Sequence, residues 1–153
     1  MPGSIDGVSF LSPTASPDRV GRSALRLPLW SVPVAAGFPS PADDHLDTLL
    51  DLNEHLIQRP AATFFLRVRG DSMTGLGIHD GDLIIVDRSL TPQLGDVVVA
   101  ALDGDLAVKQ LQRRGRRYWL ASAHPDYPDF AVGEDGYDAY LWGVVVHAVH
   151  HLR

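Results

Sequence analysis

A serine in the sequence Gly70-Asp71-Ser72-Met73 has neighbours that suit a nucleophile better than they suit a surface turn. It follows an apolar, strand-like run, and Gly70 allows the chain to bend sharply there. Such a bend directs the backbone amides of Asp71 and Ser72 toward one point, where N–H groups stabilise an oxyanion. Met73 then supplies an apolar wall. Ser72 is therefore the candidate nucleophile, and the Asp71 and Ser72 amides form the candidate oxyanion hole.

The chain has twelve arginines but a single lysine, Lys109. Arginine keeps its proton in proteins, whereas a buried lysine can lose it. Side chains alternate along a strand, so Ala107, Lys109 and Leu111 share one face of the predicted strand 105–111. Burial among apolar neighbours lowers the pKa of a lysine, which makes Lys109 a candidate general base for a hydroxyl. Spacing alone leaves a second interpretation open, namely a serine in an ordinary turn and a buried, paired lysine.

The elements that must position this pair are predicted to be mainly β-strands from residue 63 onward. Apolar and β-branched runs between turn signals predict strands over 63–69, 83–87, 96–102, 105–111, 117–122 and 139–149. The Asp103-Gly104 pair predicts a two-residue hairpin between two of them. Residues 40–59 predict a helix, because Ser40 can cap it, leucines recur near the 3.6-residue period and Arg59-Pro60 can end it. Residues 1–36 contain five prolines and predict an extended arm.

The composition excludes several classes of function. The net charge of −6 argues against a general nucleic-acid-binding surface, which needs a basic face. The chain has no cysteine, which excludes disulfides and thiolate chemistry. No signal peptide is evident, and the longest apolar runs are far shorter than the roughly 20 residues of a membrane helix. We expect a cytoplasmic protein with no membrane contact and no direct sequence-specific DNA binding.

Two segments together resemble the LexA/UmuD family of self-cleaving serine peptidases. They are GDSMTGLGIHDGDLIIVD at residues 70–87 and GDLAVKQL at residues 104–111. In that family the nucleophile lies in a G-x-S-M sequence and a lysine follows in an A-V-K-like strand, which correspond here to Ser72 and Lys109. The terminal LWGVVVHAVHHLR is similar to the UmuD-type branch. The resemblance covers about residues 35–153.

The resemblance implies a fold, a reaction and a division of the chain. The fold is expected to be mostly β, with twisted antiparallel sheets forming a partly barrel-like catalytic domain, a short helical segment and an extended N-terminal arm. The family cuts its own chain at a small residue followed by glycine, which here is Ala36-Gly37, with Val34 and Ala35 in the recognition arm. Cleavage would divide the chain into an arm, residues 1–36, and a peptidase domain, residues 37–153.

The resemblance also implies partners. Members of the UmuD-type branch form homodimers, cleave themselves on a RecA–single-stranded-DNA filament and then assist a UmuC-like, error-prone Y-family DNA polymerase in translesion synthesis. We expect the same SOS-response role here, with a Ser-Lys dyad and with no cofactor and no metal.

Five alternatives are weighed against this prediction. A LexA-like transcriptional repressor needs a helix-turn-helix, which the proline-rich residues before Gly37 do not indicate. A non-catalytic polymerase-binding module would not need the intact Ser-Lys pair, and a membrane signal peptidase would need an anchor. A Ser-His-Asp site would use His79 or His124. A metal site is also unfavourable, because nothing completes the set of His147, His150 and His151.

Overall fold

The computed structural model describes residues 8–10, 24–30, 34–38, 46–133, 136 and 138–153. The chain divides into two compact units, one of residues 1–13 and 59–153 and the other of residues 14–58. The predicted division between Ala36 and Gly37 is a site of cleavage and not a boundary between compact units. It stays a prediction.

The larger unit is built on one antiparallel sheet of eight strands in the order β1-β4-β5-β10-β6-β7-β8-β9. Its strands are β1 (Val8–Phe10), β4 (Thr63–Val68), β5 (Leu83–Asp87), β6 (Val97–Leu102), β7 (Asp105–Arg114), β8 (Arg117–Ala121), β9 (Phe130–Val132) and β10 (Ala139–Val149). All six predicted strands are present, with bounds that differ by at most a few residues. The prediction of a mostly β fold with antiparallel sheets is therefore confirmed. Within the described residues β1 and β9 end the sheet, which is not closed into a barrel.

The core of this unit consists of two apolar clusters. Leu106 and Val108 of β7 belong to the first cluster, which also contains Met73 from the turn after β4. Leu111 belongs to the second cluster, and Ala107 packs against it. The alternation predicted for the strand around Lys109 is therefore present in the packing. Because strands β6 and β7 pair from Val97↔Gln110 to Leu102↔Asp105, the Asp103-Gly104 hairpin is also confirmed.

The smaller unit contains β2 (Arg26–Trp30), β3 (Leu46–Asp51) and the short helix α1 (Leu52–Leu56). The prediction of one helix over residues 40–59 is wrong, because Leu46–Asp51 pairs antiparallel with β2. Leucine spacing alone could not show that an extended partner strand was available. The carboxylate of Asp51 accepts a hydrogen bond of 2.9 Å from the Asn53 amide, so the helix begins only at Leu52.

The remaining local predictions for this part of the chain have different outcomes. The predicted cap at Ser40 lies outside the described residues. The extended conformation predicted for the apolar end of the arm is present in β2. The short helical segment of the predicted fold is α1. None of the helices formed by the described residues is long and apolar enough to cross a membrane.

Candidate active site

The turn that carries Ser72 begins where β4 ends. Gly70 has φ +85°, a left-handed conformation that favours glycine, and its amide donates a hydrogen bond of 2.7 Å to the Asp80 carboxylate. Met73 is only 1% exposed and fixes the turn against the core. Ser72 itself is half-buried. The tight turn and the apolar wall predicted around the serine are therefore both present.

Two backbone hydrogen bonds fasten this turn to the segment that follows β8. The Ala123 amide donates to the Ser72 carbonyl at 2.8 Å, and the Gly75 amide donates to the Ala123 carbonyl, also at 2.8 Å. A Cβ atom at Gly75 would lie 2.5 Å from the Ala123 carbonyl oxygen, so only glycine allows this approach. The backbone of the candidate nucleophile is thus held against the residue next to Ser122.

Lys109 lies on β7 with only 6% of its surface exposed. Its Nζ atom donates a hydrogen bond of 2.8 Å to the hydroxyl oxygen of Ser122 and lies 5.5 Å from the centre of the Phe130 ring. Burial lowers the pKa of Lys109, and the negative charge of Asp129 opposes part of that shift. A lysine with a lowered pKa is the property that the general-base prediction requires.

Ser72 and Lys109 line the same cleft, which has a volume of about 720 Å³. Apolar side chains that include Val68, Leu106 and Phe130 form part of its wall. Charged side chains also line it, namely Arg69, Asp80, Asp103 and Asp105. No histidine is among the described residues that line this cleft, which disfavours the Ser-His-Asp alternative.

Tyr127, which also lines the cleft, is bound to the residue before the serine. Its hydroxyl donates a hydrogen bond of 2.5 Å to the Asp71 carboxylate. This bond lowers the pKa of Asp71 and raises the pKa of Tyr127. His124 lies nearby, with Nε2 3.9 Å from the Asp71 carboxylate and its ring edge-on to Tyr127. The Asp71 side chain therefore points to this cluster, while only its amide is assigned to the oxyanion hole.

Sequence reasoning missed Ser122, Tyr127 and Asp129. They lie in the segment SAHPDYPDF, in which the sequence indicates the end of a strand at Ser122 and a turn at His124-Pro125. Ser122 reaches Lys109 because β7 and β8 pair antiparallel in the register Gln110↔Ala121, which places Lys109, the residue before Gln110, opposite Ser122, the residue after Ala121. Spacing along the chain contains no signal for that register.

The predicted cleavage segment belongs to the smaller unit. Val34–Phe38 are exposed, and Phe38 is 91% exposed. No atom lies within 4 Å of the position that a Cβ would take at Gly37, and its φ is not left-handed. Local packing therefore does not require glycine at this position.

Two of the histidines weighed for other chemistry, His79 and His150, contact the buried Asp82. Nδ1 of His150 lies 2.6 Å from the Asp82 carboxylate, whose second oxygen accepts a hydrogen bond from the His79 amide. Although burial raises the pKa of Asp82, these contacts leave it below its usual value. In the part of the chain that the structure describes, no group of three or more histidine, cysteine or acidic side chains could hold a metal ion.

Comparison with known proteins shows that the chain is similar to a known family over most of its length and not only around the candidate site. Residues 28–146 match the family described as Peptidase S24-like. The chain is 43% identical to Protein ImpA of Escherichia coli over 136 residues, which are 89% of this chain and 92% of ImpA. It is 41% identical to Protein MucA of Escherichia coli over 123 residues, 80% of this chain and 84% of MucA. It is 42% identical to the LexA repressor of Halorhodospira halophila over 113 residues, 74% of this chain and 50% of the repressor. The resemblance found in the motifs is thereby confirmed, and the chain belongs to the Peptidase S24-like family of serine peptidases.

Proposed function

We propose that this chain is a self-cleaving SOS-response protein that cuts its own Ala36-Gly37 bond with a Ser72–Lys109 dyad. The observation that carries the proposal is a buried lysine with a lowered pKa, Lys109, in the same cleft as a serine in a tight turn. An ordinary surface serine would need neither the apolar wall of Met73 nor a buried lysine in the same cleft.

The reaction begins with Lys109 in its neutral form. Its amine takes the proton from the Ser72 hydroxyl, and Oγ attacks the carbonyl carbon of Ala36. The carbonyl oxygen becomes an oxyanion, which accepts hydrogen bonds from the amides of Asp71 and Ser72. When this intermediate collapses, the bond from the Ala36 carbonyl to the Gly37 nitrogen breaks, and the Lys109 ammonium gives its proton to that nitrogen.

The second half of the reaction removes the arm from Ser72. The Ala36 carbonyl is now esterified to Oγ, and a water molecule attacks it while Lys109 accepts a proton from the water. Oγ leaves and regains its proton from Lys109. The products are residues 1–36, ending in a carboxylate, and residues 37–153, beginning with a free amine.

The low pKa of Lys109 determines how fast this reaction proceeds near neutral pH. A lysine with an ordinary pKa near 10.4 is neutral only about 0.1% of the time at pH 7.4, which corresponds to a penalty of roughly 4 kcal/mol. Burial removes part of this penalty because it disfavours the ammonium form. Arginine at position 109 would gain nothing from burial, because it does not release its proton in a protein.

The residues around the proposed bond suit an extended peptide entering a narrow cleft. Ala35, Ala36 and Gly37 have small side chains, so the backbone can approach Ser72 closely. Val34 would occupy an apolar side pocket. The exposure of Val34–Phe38 supports this role, since a substrate segment must be free to enter a cleft.

The cellular role is proposed from the family and from the relatives that cover most of the chain. We propose a cytoplasmic homodimer that cleaves itself on a RecA–single-stranded-DNA filament and then assists a UmuC-like Y-family polymerase in translesion synthesis. The identity to ImpA and MucA over most of their length supports this assignment. The net charge of −6 favours protein partners over direct contact with DNA phosphates.

The experiment that tests the reaction is incubation of the purified chain at raised pH, followed by mass spectrometry of the products. The large product should begin at Gly37, and Ser72→Ala should give no product while unfolding at a similar temperature. A product that begins elsewhere, or cleavage by Ser72→Ala at a rate near that of the unaltered chain, would refute the proposal. Addition of a RecA filament then tests whether the cleavage is stimulated near neutral pH.

A further inference from the structure

Ser122 is the hydrogen-bond partner of Lys109, and its hydroxyl both accepts and donates a hydrogen bond. Nζ of Lys109 donates to Oγ of Ser122 at 2.8 Å, and Oγ in turn donates to the Pro128 carbonyl at 3.0 Å. A serine hydroxyl has only one proton. Because that proton is directed at Pro128, the oxygen presents a lone pair to Lys109 and acts there as an acceptor.

Neighbouring contacts fix the position of this acceptor. The Ser122 amide donates to the Asp129 carboxylate at 2.9 Å, and the same carboxylate forms an ion pair with Arg114 at 2.5 Å. The adjacent Ala123 forms the two backbone bonds that hold Ser72 and Gly75. The backbone that carries the Ser122 hydroxyl is thus held by Asp129 on one side and by the turn of Ser72 on the other.

We propose that Ser122 is a positioning residue for the cleavage reaction: its hydroxyl oxygen holds the Lys109 amine so that the lone pair of nitrogen is presented to Ser72. This inference rests on the proposed function of the dyad. A neutral amine has two N–H bonds and one lone pair. When one N–H donates to Ser122, rotation about the terminal C–N bond is restricted, and the lone pair is left for the proton of another hydroxyl. Without the acceptor, the amine rotates among orientations of which few are productive.

The charges around Lys109 show how this role can be separated from an effect on protonation. Asp129 raises the pKa of Lys109 against the effect of burial, and Asp129 is itself paired with Arg114. The other charged groups that line the cleft are Arg69, Asp80, Asp103 and Asp105. Ser122 is neutral, and an ammonium donates to it more strongly than an amine does. Loss of the hydroxyl should therefore lower the pKa of Lys109 and increase the fraction of free base.

The test compares Ser122→Ala with Ser122→Thr, which retains a hydroxyl. We expect Ser122→Ala to reduce the cleavage rate at least about tenfold, even on the high-pH plateau where all Lys109 is neutral. Ser122→Thr should return the rate to within about threefold of the unaltered chain, as expected for a retained acceptor. Ser89→Ala is the matched control, because it removes a hydroxyl bonded at 2.6 Å to Asp87 away from the cleft. It should cleave normally.

A second readout does not depend on activity. Since Lys109 is the only lysine, selective ¹³C labelling of lysine gives one side-chain signal, whose shift against pH reports the pKa directly. In the Ser72→Ala background, Ser122→Ala should lower that pKa. Slower cleavage together with a lower pKa identifies positioning, because protonation alone would make the variant faster near neutral pH.

The failures of the two proposals are distinguishable. A Ser122→Ala plateau rate equal to that of the unaltered chain would overturn the role of Ser122, and so would a threonine variant as slow as the alanine one. In both cases the proposal of a Ser72–Lys109 dyad would still stand, provided that Ser72→Ala is inactive. Cleavage by Ser72→Ala would overturn the dyad itself. If Ser122→Ala unfolds in the assay, the plateau cleavage rate of Ser122→Thr and the pKa of its Lys109 test the role of Ser122 instead.

Discussion

The hydroxyl of Tyr127 donates a hydrogen bond of 2.5 Å to the carboxylate of Asp71, the residue that directly precedes Ser72. The bond joins the segment after β8 to the turn after β4, which are 56 positions apart in the chain. Both side chains are exposed enough to meet water, so the bond contributes little to folding. We expect its main effect to be on the orientation of the peptide units that carry the candidate oxyanion hole.

Tyr127→Phe should therefore lower the cleavage rate by roughly three- to tenfold and leave the unfolding temperature almost unchanged. The aromatic ring stays, and only the hydroxyl that orients Asp71 is lost. Tyr118→Phe is a suitable control, because Tyr118 is exposed on β8 and is not among the residues that line the cleft. Equal cleavage rates for the two variants, measured by gel densitometry at several pH values, would show that the Tyr127 hydroxyl has no part in the reaction.

Gly37→Glu should block self-cleavage by at least about a hundredfold without affecting the stability of the peptidase unit. A Cβ at Gly37 meets no atom in this structure, so the substitution does not disturb local packing. In the cleft, however, a charged side chain beside the scissile carbonyl would be buried at a high free-energy cost. The measurement is mass spectrometry after incubation at raised pH, with Ser122 and the dyad unaltered.

The same variant has an internal control for the integrity of the dyad. If one molecule can cut another, Gly37→Glu should still cleave the arm of an added Ser72→Ala molecule. Normal self-processing of Gly37→Glu would mean that the scissile bond is not Ala36-Gly37.

Gly75→Ala should impair both stability and cleavage, because its Cβ would lie 2.5 Å from the Ala123 carbonyl oxygen. The forced shift should destabilise the unit by about 1–3 kcal/mol, the range seen for overpacked sites. It should also slow cleavage about tenfold or more at a temperature where the variant is folded, since Ala123 holds Ser72 beside the Lys109 partner. Urea unfolding gives the first quantity, and single-turnover cleavage gives the second.

Gly77→Ala separates these two effects. Gly77 has φ +78° but no atom within 4 Å of its added Cβ, so the variant has backbone strain without a clash. It should lose about 1 kcal/mol of stability. Its cleavage rate should be nearly normal. If Gly75→Ala were no slower than Gly77→Ala, the close approach to Ala123 would be irrelevant to catalysis.

Sequence patterns predicted the β-strands well because their signals are local. Alternation around Lys109, the Asp103-Gly104 turn and the bend at Gly70 each depend on a few neighbouring residues, and all three are present. The helix over residues 40–59 failed for the opposite reason. Leu49 and Leu50 fit a helical period, but the pairing of their strand with Arg26–Trp30 is a long-range choice that periodicity does not encode.

The candidate site shows the same division between local and distant information. Ser72 and Lys109 could be selected as candidates from the sequence because each has a distinctive immediate setting. Ser122 and Tyr127 contact residues that lie 13 and 56 positions away in the chain, and nothing beside them in the sequence marks them. Their positions near the candidate site depend on the register of β7 and β8 and on the two bonds to Ala123, which the sequence does not show.

Lys109→Arg should be inactive at every accessible pH, whereas cleavage by the unaltered chain should accelerate as pH rises. Deprotonation produces the base, and burial lowers the pKa of Lys109, so the rise should occur below the ordinary lysine value near 10.4. Arginine preserves the positive charge but cannot act as a base. Rates measured from about pH 7 to 10.5 would contradict the general-base role if the unaltered chain gave a flat profile or Lys109→Arg retained substantial activity.

Lys109→Met should make the folded protein more stable at pH 7 while abolishing cleavage. Methionine keeps an unbranched apolar chain, and the Ser122 hydroxyl retains its bond to the Pro128 carbonyl. The folded state holds Lys109 with a lowered pKa, so at neutral pH folding must bury a disfavoured ammonium or release its proton. Since the lowered pKa reflects an ammonium that is unfavourable in the folded state, its replacement should raise the free energy of unfolding.

The pH dependence of that gain follows from the direction of the shift. Between the folded pKa and the unfolded value near 10.4, the unfolded chain binds more protons than the folded chain, so the stability of the lysine protein rises with pH. The advantage of Lys109→Met should therefore be largest below the folded pKa and should shrink as pH approaches 10.4. Urea unfolding at pH 7 and pH 10, in the Ser72→Ala background, measures both differences.

Arg113→Met is the control, because it removes an exposed charge from the same strand. Its stability relative to the unaltered chain should show little dependence on pH over this range. If the lysine protein were instead the more stable one at pH 7, Lys109 would be a stabilising structural residue, and the interpretation of a base maintained at the expense of stability would be wrong.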